Sequence, residues 1–214
     1  MYNRLLTTED LHEFYEEVDR EDYRTKFPHR DLWYDHDDAI LKWISILREF
    51  KSIGGSNLKV VDLGAGPASL PHIISSLGHD VTAIDIADID HLVQQSLVKM
   101  VLGDVLYELK EIPDESVDVF IDSCAVTHFD PKGYYENRGW KEVAYGVSRA
   151  LKSGGRFILS SDVDLYARGG EFITPQRIIE IMKENGLDLT SPFVVTDNDL
   201  KLSLIHISEP TRPQ

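Results

Sequence analysis

Val60-Val61-Asp62-Leu63-Gly64-Ala65-Gly66-Pro67-Ala68-Ser69-Leu70 is the stretch whose reading decides the fold. An apolar run from Leu58 to Leu63 carries one acid, Asp62. It breaks into Gly64-Ala65-Gly66 and restarts as a helix through Pro67, Ala68 and Leu70. The pattern predicts a buried strand, a tight glycine turn and a helix N-terminus aimed at a ligand. Glycine lets the backbone turn sharply and lets a ligand approach with no Cβ in the way. The first amides of a helix have no internal partner, so that spot suits an anionic group. Pro67 fits a first helical turn, where its missing N–H costs nothing.

On either side of this unit, strand and helix signals alternate. Strands are expected at 58–63, 80–85, 98–102, 117–122 and 155–161, with helices at 67–77, 88–96, 138–151 and 174–185. Strand-like runs follow at 187–196 and 201–207. Such alternation predicts a parallel sheet covered on both faces. Upstream, Thr7 or Thr8 caps a short helix bearing Leu11, Phe14, Tyr15 and Val18. A second helix starts near Asp35 to Asp38, carries the stripe Ile40, Trp43, Ile44, Leu47 and Phe50, and stops at Gly54-Gly55. Tyr15, Tyr23, Trp33 and Tyr34 either line a pocket or pack a small cap.

The 214 residues suit one domain with a small cap. No apolar run approaches the roughly 20 residues that span a bilayer, and MYNRLLTTED lacks the apolar core of a secretory signal. The single cysteine, Cys124, leaves no internal disulfide framework and fits a reducing cytoplasm. A net charge of −15 argues against a nucleic-acid backbone as partner, which needs a basic surface. There is no H-x-x-x-H or cysteine cluster for zinc, and Asp35, Asp37 and Asp38 read as helix caps, so no metal is expected.

Two cofactor classes use a turn like 64–66. A dinucleotide fingerprint wants a third glycine for close helix–strand packing, and that position is Ser69. The acid two residues before the first glycine points elsewhere. D-x-G-x-G, here Asp62 to Gly66, resembles motif I of the class I S-adenosylmethionine-dependent methyltransferases. Asp85 ends the second strand, 21 residues after Gly64, where a carboxylate can accept two hydrogen bonds from a ribose diol; its other reading is a helix cap. PDESVDVFIDSCAVTHF (113–129) and RALKSGGRFILSSD (149–162) are similar to the segments around strands four and five of that family, with Ser153 in place of a usual proline.

The resemblance covers roughly 40–195 and implies a three-layer α/β/α sandwich. Its mostly parallel seven-stranded sheet would have the order 3-2-1-4-5-7-6, with strand 7 antiparallel and a small N-terminal helical cap over 1–38. It also implies S-adenosyl-L-methionine as cofactor, held by Asp62, Gly64, Ala65, Gly66, Asp85 and Ile86. Asp104 would meet the adenine amino group with Val105 beside the ring, while Asp122 and Ser123 would lie at the methionine end. A turn acid is the competing account of Asp104.

Methyl transfer needs an aligned nucleophile more than a reactive side chain. A base is needed only for a protonated hydroxyl or amine, and His128 is the candidate, set against a purely structural histidine. Cys124 reads as a small residue ending a buried strand. In the loop 130–140, Tyr134, Tyr135, Arg138 and Trp140 either wall a substrate site or pack on one another. The N-P-P-Y signature of enzymes that methylate nucleic-acid amino groups is absent after strand four, so the expected partner is a small-molecule acceptor methylated on O or N. Oligomeric state stays open. Two rivals remain: a non-catalytic module of the same fold, and a nicotinamide-binding oxidoreductase.

Residues 202–214, LSLIHISEPTRPQ, closely resemble translated sequencing-adapter read-through, so the authentic chain is expected to stop near Lys201. LSLIHIS alternates well enough to pose as a strand; a genuine strand with a loose end is the alternative.

Overall fold

A computed structural model describes residues 12–13, 16, 37–66, 69–87, 98–129, 137–161, 173–190 and 207–208. Helix α1 (Asp37–Ile53) leads into β1 (Lys59–Leu63), α2 (Ser69–Ser76), β2 (Asp80–Asp85), β3 (Lys99–Leu102) and α3 (Val105–Glu111). Then come β4 (Val117–Ser123), a 3₁₀ turn (Val126–His128), α4 (Arg138–Ala150), β5 (Leu151–Ser160), α5 (Pro175–Glu184) and a two-residue β6 (Ile207–Ser208). The sheet order is β3-β2-β1-β4-β5-β6. All pairings are parallel except β5 with β6. This is the expected α/β sandwich and strand order through five strands, with the antiparallel strand beside β5. Of the two late runs, 187–190 holds a lone bridge at Leu187, and 191–206 lies outside the described residues.

Each strand alternates its apolar residues between two cores. Val60, Val81, Ala83, Val119, Ile121 and Ile158 pack under α1 and α2, with Ile44, Leu47, Phe50, Leu70, Ile73 and Ile74. Val61, Leu63, Ile84, Phe120, Phe157 and Leu159 pack on the other face, with Leu109, Val143, Val147, Ile178 and Ile181 from α3, α4 and α5. A sheet buried on both faces explains the apolar runs of its strands. Both cores leave the strand ends free, and parallel strands bring all their carboxyl ends to one edge.

Two departures from the sequence expectations have local causes. First, α3 was not anticipated. Val105 and Leu109, four residues apart, bury on one side, and Asp104 caps the helix by accepting from the Leu106 N–H at 2.8 Å. Gly146 on α4 leaves room for Leu109, whose side-chain carbons would lie 2.6 Å from a Cβ there. Second, β5 begins at Leu151 rather than 155, because Leu151 pairs with Val117 before a register irregularity; regular pairing resumes at Arg156. The glycine turn is absorbed into that irregularity, with Gly154 at φ 76°. At the end of the strand-like run expected over 201–207, β6 pairs Ile207 with Phe157 and Ser208 with Arg156. The expected helix 88–96 and nearly all of the cap lie outside the described residues. No helix among the described residues is long and apolar enough to cross a membrane.

Candidate functional site

The turns after β1, β2, β3 and β4 meet at one edge of the sheet. The amides of Gly64 and Ala65 both donate to the Ile84 carbonyl, at 2.8 and 3.2 Å, which ties the glycine turn onto β2. The two glycines do different jobs. Gly64, at φ 72°, faces the turn after β4: a Cβ there would collide with the Ala125 side chain and come within 3.0 Å of the Phe129 ring. Gly66, at φ 52°, meets nothing within 4 Å among the described residues, which leaves its side of the turn open to a ligand.

Asp85 joins the turns. Its Oδ2 accepts from the Gly66 N–H at 2.8 Å and its Oδ1 from the Ala87 N–H at 2.8 Å, while its carbonyl accepts from Gly103 at 2.9 Å. Each carboxylate oxygen keeps a lone pair for a ligand hydroxyl. Ile86, the next residue, is 75% exposed, and Leu102, paired in register with Asp85, is 63% exposed. Two bare aliphatic side chains at this edge make a surface for a flat apolar ring. Leu102 was missed in the sequence because it reads as the last residue of a buried strand; only its place on an edge strand exposes it. Asp104 stands exposed at the start of α3, which it caps, and Val105 is buried in the core beneath.

On the inner side, Asp62 and Asp122 are buried. Asp62 Oδ1, Asp122 Oδ2 and Ser160 Oγ are buried without a hydrogen-bond partner among the described residues. Burial first, then the negative charges of Asp122 and Asp85, push the Asp62 carboxyl well above its ordinary range. Burial also lifts Asp122 to about 7, against the opposing pull of the amides of Ala125, Val126 and Cys124. Acids crowded together with unspent lone pairs favour a cationic ligand, whose charge offsets their repulsion. Ser123 is half-buried and pairs in register with Ser160.

His128 closes the 3₁₀ turn and is exposed; its backbone N–H donates to the Ala125 carbonyl at 2.9 Å. The cofactor-binding residues expected from sequence therefore gather at one edge, with His128 on the turn that packs over Gly64. Val105 sits lower, inside the core. Of the four residues that either wall a substrate site or pack on one another, Trp140 is a core residue and Arg138 pairs with Glu142 at 2.7 Å; Tyr134 and Tyr135 lie outside the described residues. No group of His, Cys, Asp and Glu among the described residues is arranged to hold a metal.

Residues 61–159 match the family described as Methyltransferase domain. No curated protein matches the chain significantly. Among solved structures, the chain is similar to a 1,6-didemethyltoxoflavin-N1-methyltransferase of Burkholderia thailandensis, crystallised with its substrate and S-adenosylhomocysteine. Identity is 20%, TM-score 0.62, with 94% of this chain and 90% of that one covered. It is also similar to a TehB-like S-adenosylmethionine-dependent methyltransferase of Corynebacterium glutamicum: 20% identity, TM-score 0.59, covering 78% and 87%. The [4+2]-cyclase SpnF shares the fold at 12% identity and TM-score 0.54, covering 71% and 58%, so the fold by itself does not dictate methyl transfer. The matched residues, 61–159, span the glycine turn and Asp62, Asp85 and Asp122, so this edge lies within the part of the chain that is similar to the Methyltransferase domain family.

Proposed function

We propose that this protein transfers a methyl group from S-adenosylmethionine to an oxygen or nitrogen of a small-molecule acceptor. The observation that carries the reading is the junction at Asp85, which holds the Gly66 amide at 2.8 Å while the other side of Gly66 stays open. Asp85 offers its remaining lone pairs to a ribose diol, and Ile86 and Leu102 offer apolar faces to an adenine. Asp104 lies beside that surface, with Val105 supporting it from within. The backbone of Gly64, Ala65 and Gly66 shapes the crevice. Asp62, with its unspent oxygen, faces the ammonium end, and Ser123 flanks it. These residues suit a ligand that is cationic at one end and a nucleoside at the other. When bound, that cofactor supplies an electrophilic methyl group on a sulfonium.

His128 is the proposed base, taking a proton from an acceptor hydroxyl or amine at the rim. The net charge of −15 supports a small acceptor over a nucleic acid, and the lone cysteine supports a cytoplasmic setting. The proposed division is a cap over 1–38, the catalytic domain over 39–201 and a foreign tail over 202–214. The two-residue β6 in that tail agrees with an alternating segment laid against an open sheet edge. An independent genomic read that reproduces the tail codons would overturn its foreign origin.

Calorimetric titration with S-adenosylhomocysteine and, separately, with NAD tests the cofactor assignment. Binding of the first and not the second is expected; the reverse overturns the reading. Acceptor screening for S-adenosylhomocysteine release then tests catalysis, and no release with any member of a broad small-molecule panel would favour a non-catalytic module. With an acceptor found, His128→Ala is expected to slow turnover and spare cofactor binding; unchanged turnover at saturating acceptor removes His128 from the chemistry.

A further inference from the structure

The chain leaves β4 through an unusual conformation. Cys124 sits at φ 67°, in the left-handed region that costs a non-glycine residue roughly 1–2 kcal/mol. Ala125 returns to the right-handed region at φ −94°, ψ −34°. A left-handed residue followed by a right-handed one turns successive N–H groups toward a common point, which is an anion-binding nest. Asp122 occupies that point. Its Oδ1 accepts from the Ala125 N–H at 2.9 Å, and the amides of Cys124 and Val126 also bear on the carboxyl. The Cys124 N–H is held in addition by the Ser160 carbonyl, at 2.6 Å. Downstream, Val126 is buried, Ala125 abuts Gly64, and His128 follows at the surface.

We propose that Asp122 is a positioning residue: its carboxylate, seated in the amides of 124–126, holds the strained turn that sets Ala125 against Gly64 and places His128 at the rim. This departs from its expected role as a cofactor ligand, and it rests on the methyltransferase reading only for the meaning of the turn. The environment is specific. β1 contributes Asp62, of like charge, with Asp85 of β2 beside it. β5 contributes Ser160, a neutral hydroxyl. Helix α4, which packs on the turn, sends Trp140 into the core and pairs its Arg138 with Glu142. The backbone amides are therefore what favours the charged form of Asp122, and burial is what opposes it.

The turn should tighten as Asp122 ionises, and this can be read without an acceptor. In the full chain, the Ala125 amide resonance is expected to titrate with a midpoint near Asp122's own value of about 7. Its hydrogen exchange, corrected for intrinsic rate, should slow by about tenfold between pH 6 and pH 8. In D122N the titration should vanish and exchange should stay fast. Adding C124G to D122N should slow exchange again, because glycine adopts φ 67° at little cost. An Ala125 amide that does not titrate overturns the clamp, as does exchange that C124G fails to slow. A fall of about thirtyfold or more in cofactor affinity with Ala125 undisturbed makes Asp122 a ligand instead. If D122N does not fold, the wild-type titration alone decides. Failure of the wild-type protein to bind S-adenosylhomocysteine sinks the function and leaves the clamp standing or falling on the Ala125 resonance.

Discussion

Asp118 and Asp122 stand four residues apart on β4, at opposite ends of one strand, and the protein treats them in opposite ways. Asp118 accepts from the Lys59 N–H at 2.9 Å and from the Lys152 ammonium at 2.7 and 2.9 Å. Those contacts outweigh its partial burial and hold its carboxyl below the usual range. Asp122 is buried, and burial lifts it to about 7 against the pull of the Ala125, Val126 and Cys124 amides, which among the described residues are what favours its charge. At the amino end of the sheet, acids are spent on structure. At the carboxyl end they are kept hungry, next to the glycine turn. A fold that buries acids at one edge with no cation beside them among the described residues stores electrostatic cost there, and that points to the edge as the working one.

The largest effect expected from breaking the working edge is steric. Gly64→Ala combines a left-handed backbone with a Cβ driven into Ala125 and the Phe129 ring. Strain and overpacking together should cost about 3 kcal/mol of stability, measured by urea unfolding. Cofactor binding should fall with it. A near-neutral substitution would show that the turns after β1 and β4 are not interlocked.

The next effect tests the charge contrast directly. Asp122 has a raised folded value against an unfolded aspartate near 3.8. Between those values the folded protein holds more protons than the unfolded chain, so stability falls as pH rises. The contribution is full below about pH 4 and gone above about pH 7. From pH 5 to pH 8, wild type should lose about 2 kcal/mol that Asp122→Asn does not lose, at about 1.4 kcal/mol per pH unit. Asp62, raised by burial and in part by the Asp122 charge, acts in the same direction, so the difference between the two proteins reports Asp122 together with its pull on Asp62, while His79, lowered by burial, acts in the opposite direction in both. Equal pH slopes would erase the distinction between the two ends of β4.

A smaller effect separates binding from folding at the same edge. Ile86→Ser removes an aliphatic side chain that is 75% exposed, so stability should change by less than about 0.5 kcal/mol. S-adenosylhomocysteine affinity should weaken by about 1 kcal/mol, roughly fivefold, through lost apolar contact. Calorimetry on both proteins checks it, and unchanged affinity would place the adenine elsewhere.

Much of this edge is legible in the residues. Asp62, Gly64-Ala65-Gly66 and Asp85 carry their own geometry, because a glycine pair between a strand and a helix has few alternatives and the acid that ends β2 lies beside it in register. The strand order through β5 follows from alternation and from resemblance together. What stays hidden is whatever depends on reach between distant segments. That Gly64 is needed for Ala125 and Phe129, 61 and 65 residues on, is invisible in the sequence. So is the difference between Asp118, with Lys152 at hand, and Asp122, with no lysine beside it among the described residues. Helix α3 is announced by a capping aspartate and two apolar residues four apart, but at seven residues it is too short for its periodicity to stand out. Asp104 does cap that helix, and nothing prevents it from meeting a ligand as well.

The smallest expected effect lies at the structural end and completes the contrast. Lys152 is 46% exposed and Asp118 25%, so solvent screens their attraction, and an exposed pair of this kind contributes about 0.5 kcal/mol. Lys152→Ala should cost about that much near neutrality at low salt and less at high salt. The sign with pH is opposite to that of Asp122. A lowered folded value means that the pair stabilises above the unfolded aspartate value of 3.8, and that this is lost as pH falls through the folded one. Between pH 5 and pH 8 Lys152→Ala should therefore shift the unfolding midpoint evenly, while Asp122→Asn shifts it progressively. Parallel curves for the first and diverging curves for the second are what two ends of one strand, built for different purposes, must produce. If Lys152→Ala also diverged across that range, the acid at the amino end would be titrating with the site, and the division of labour along β4 would not exist.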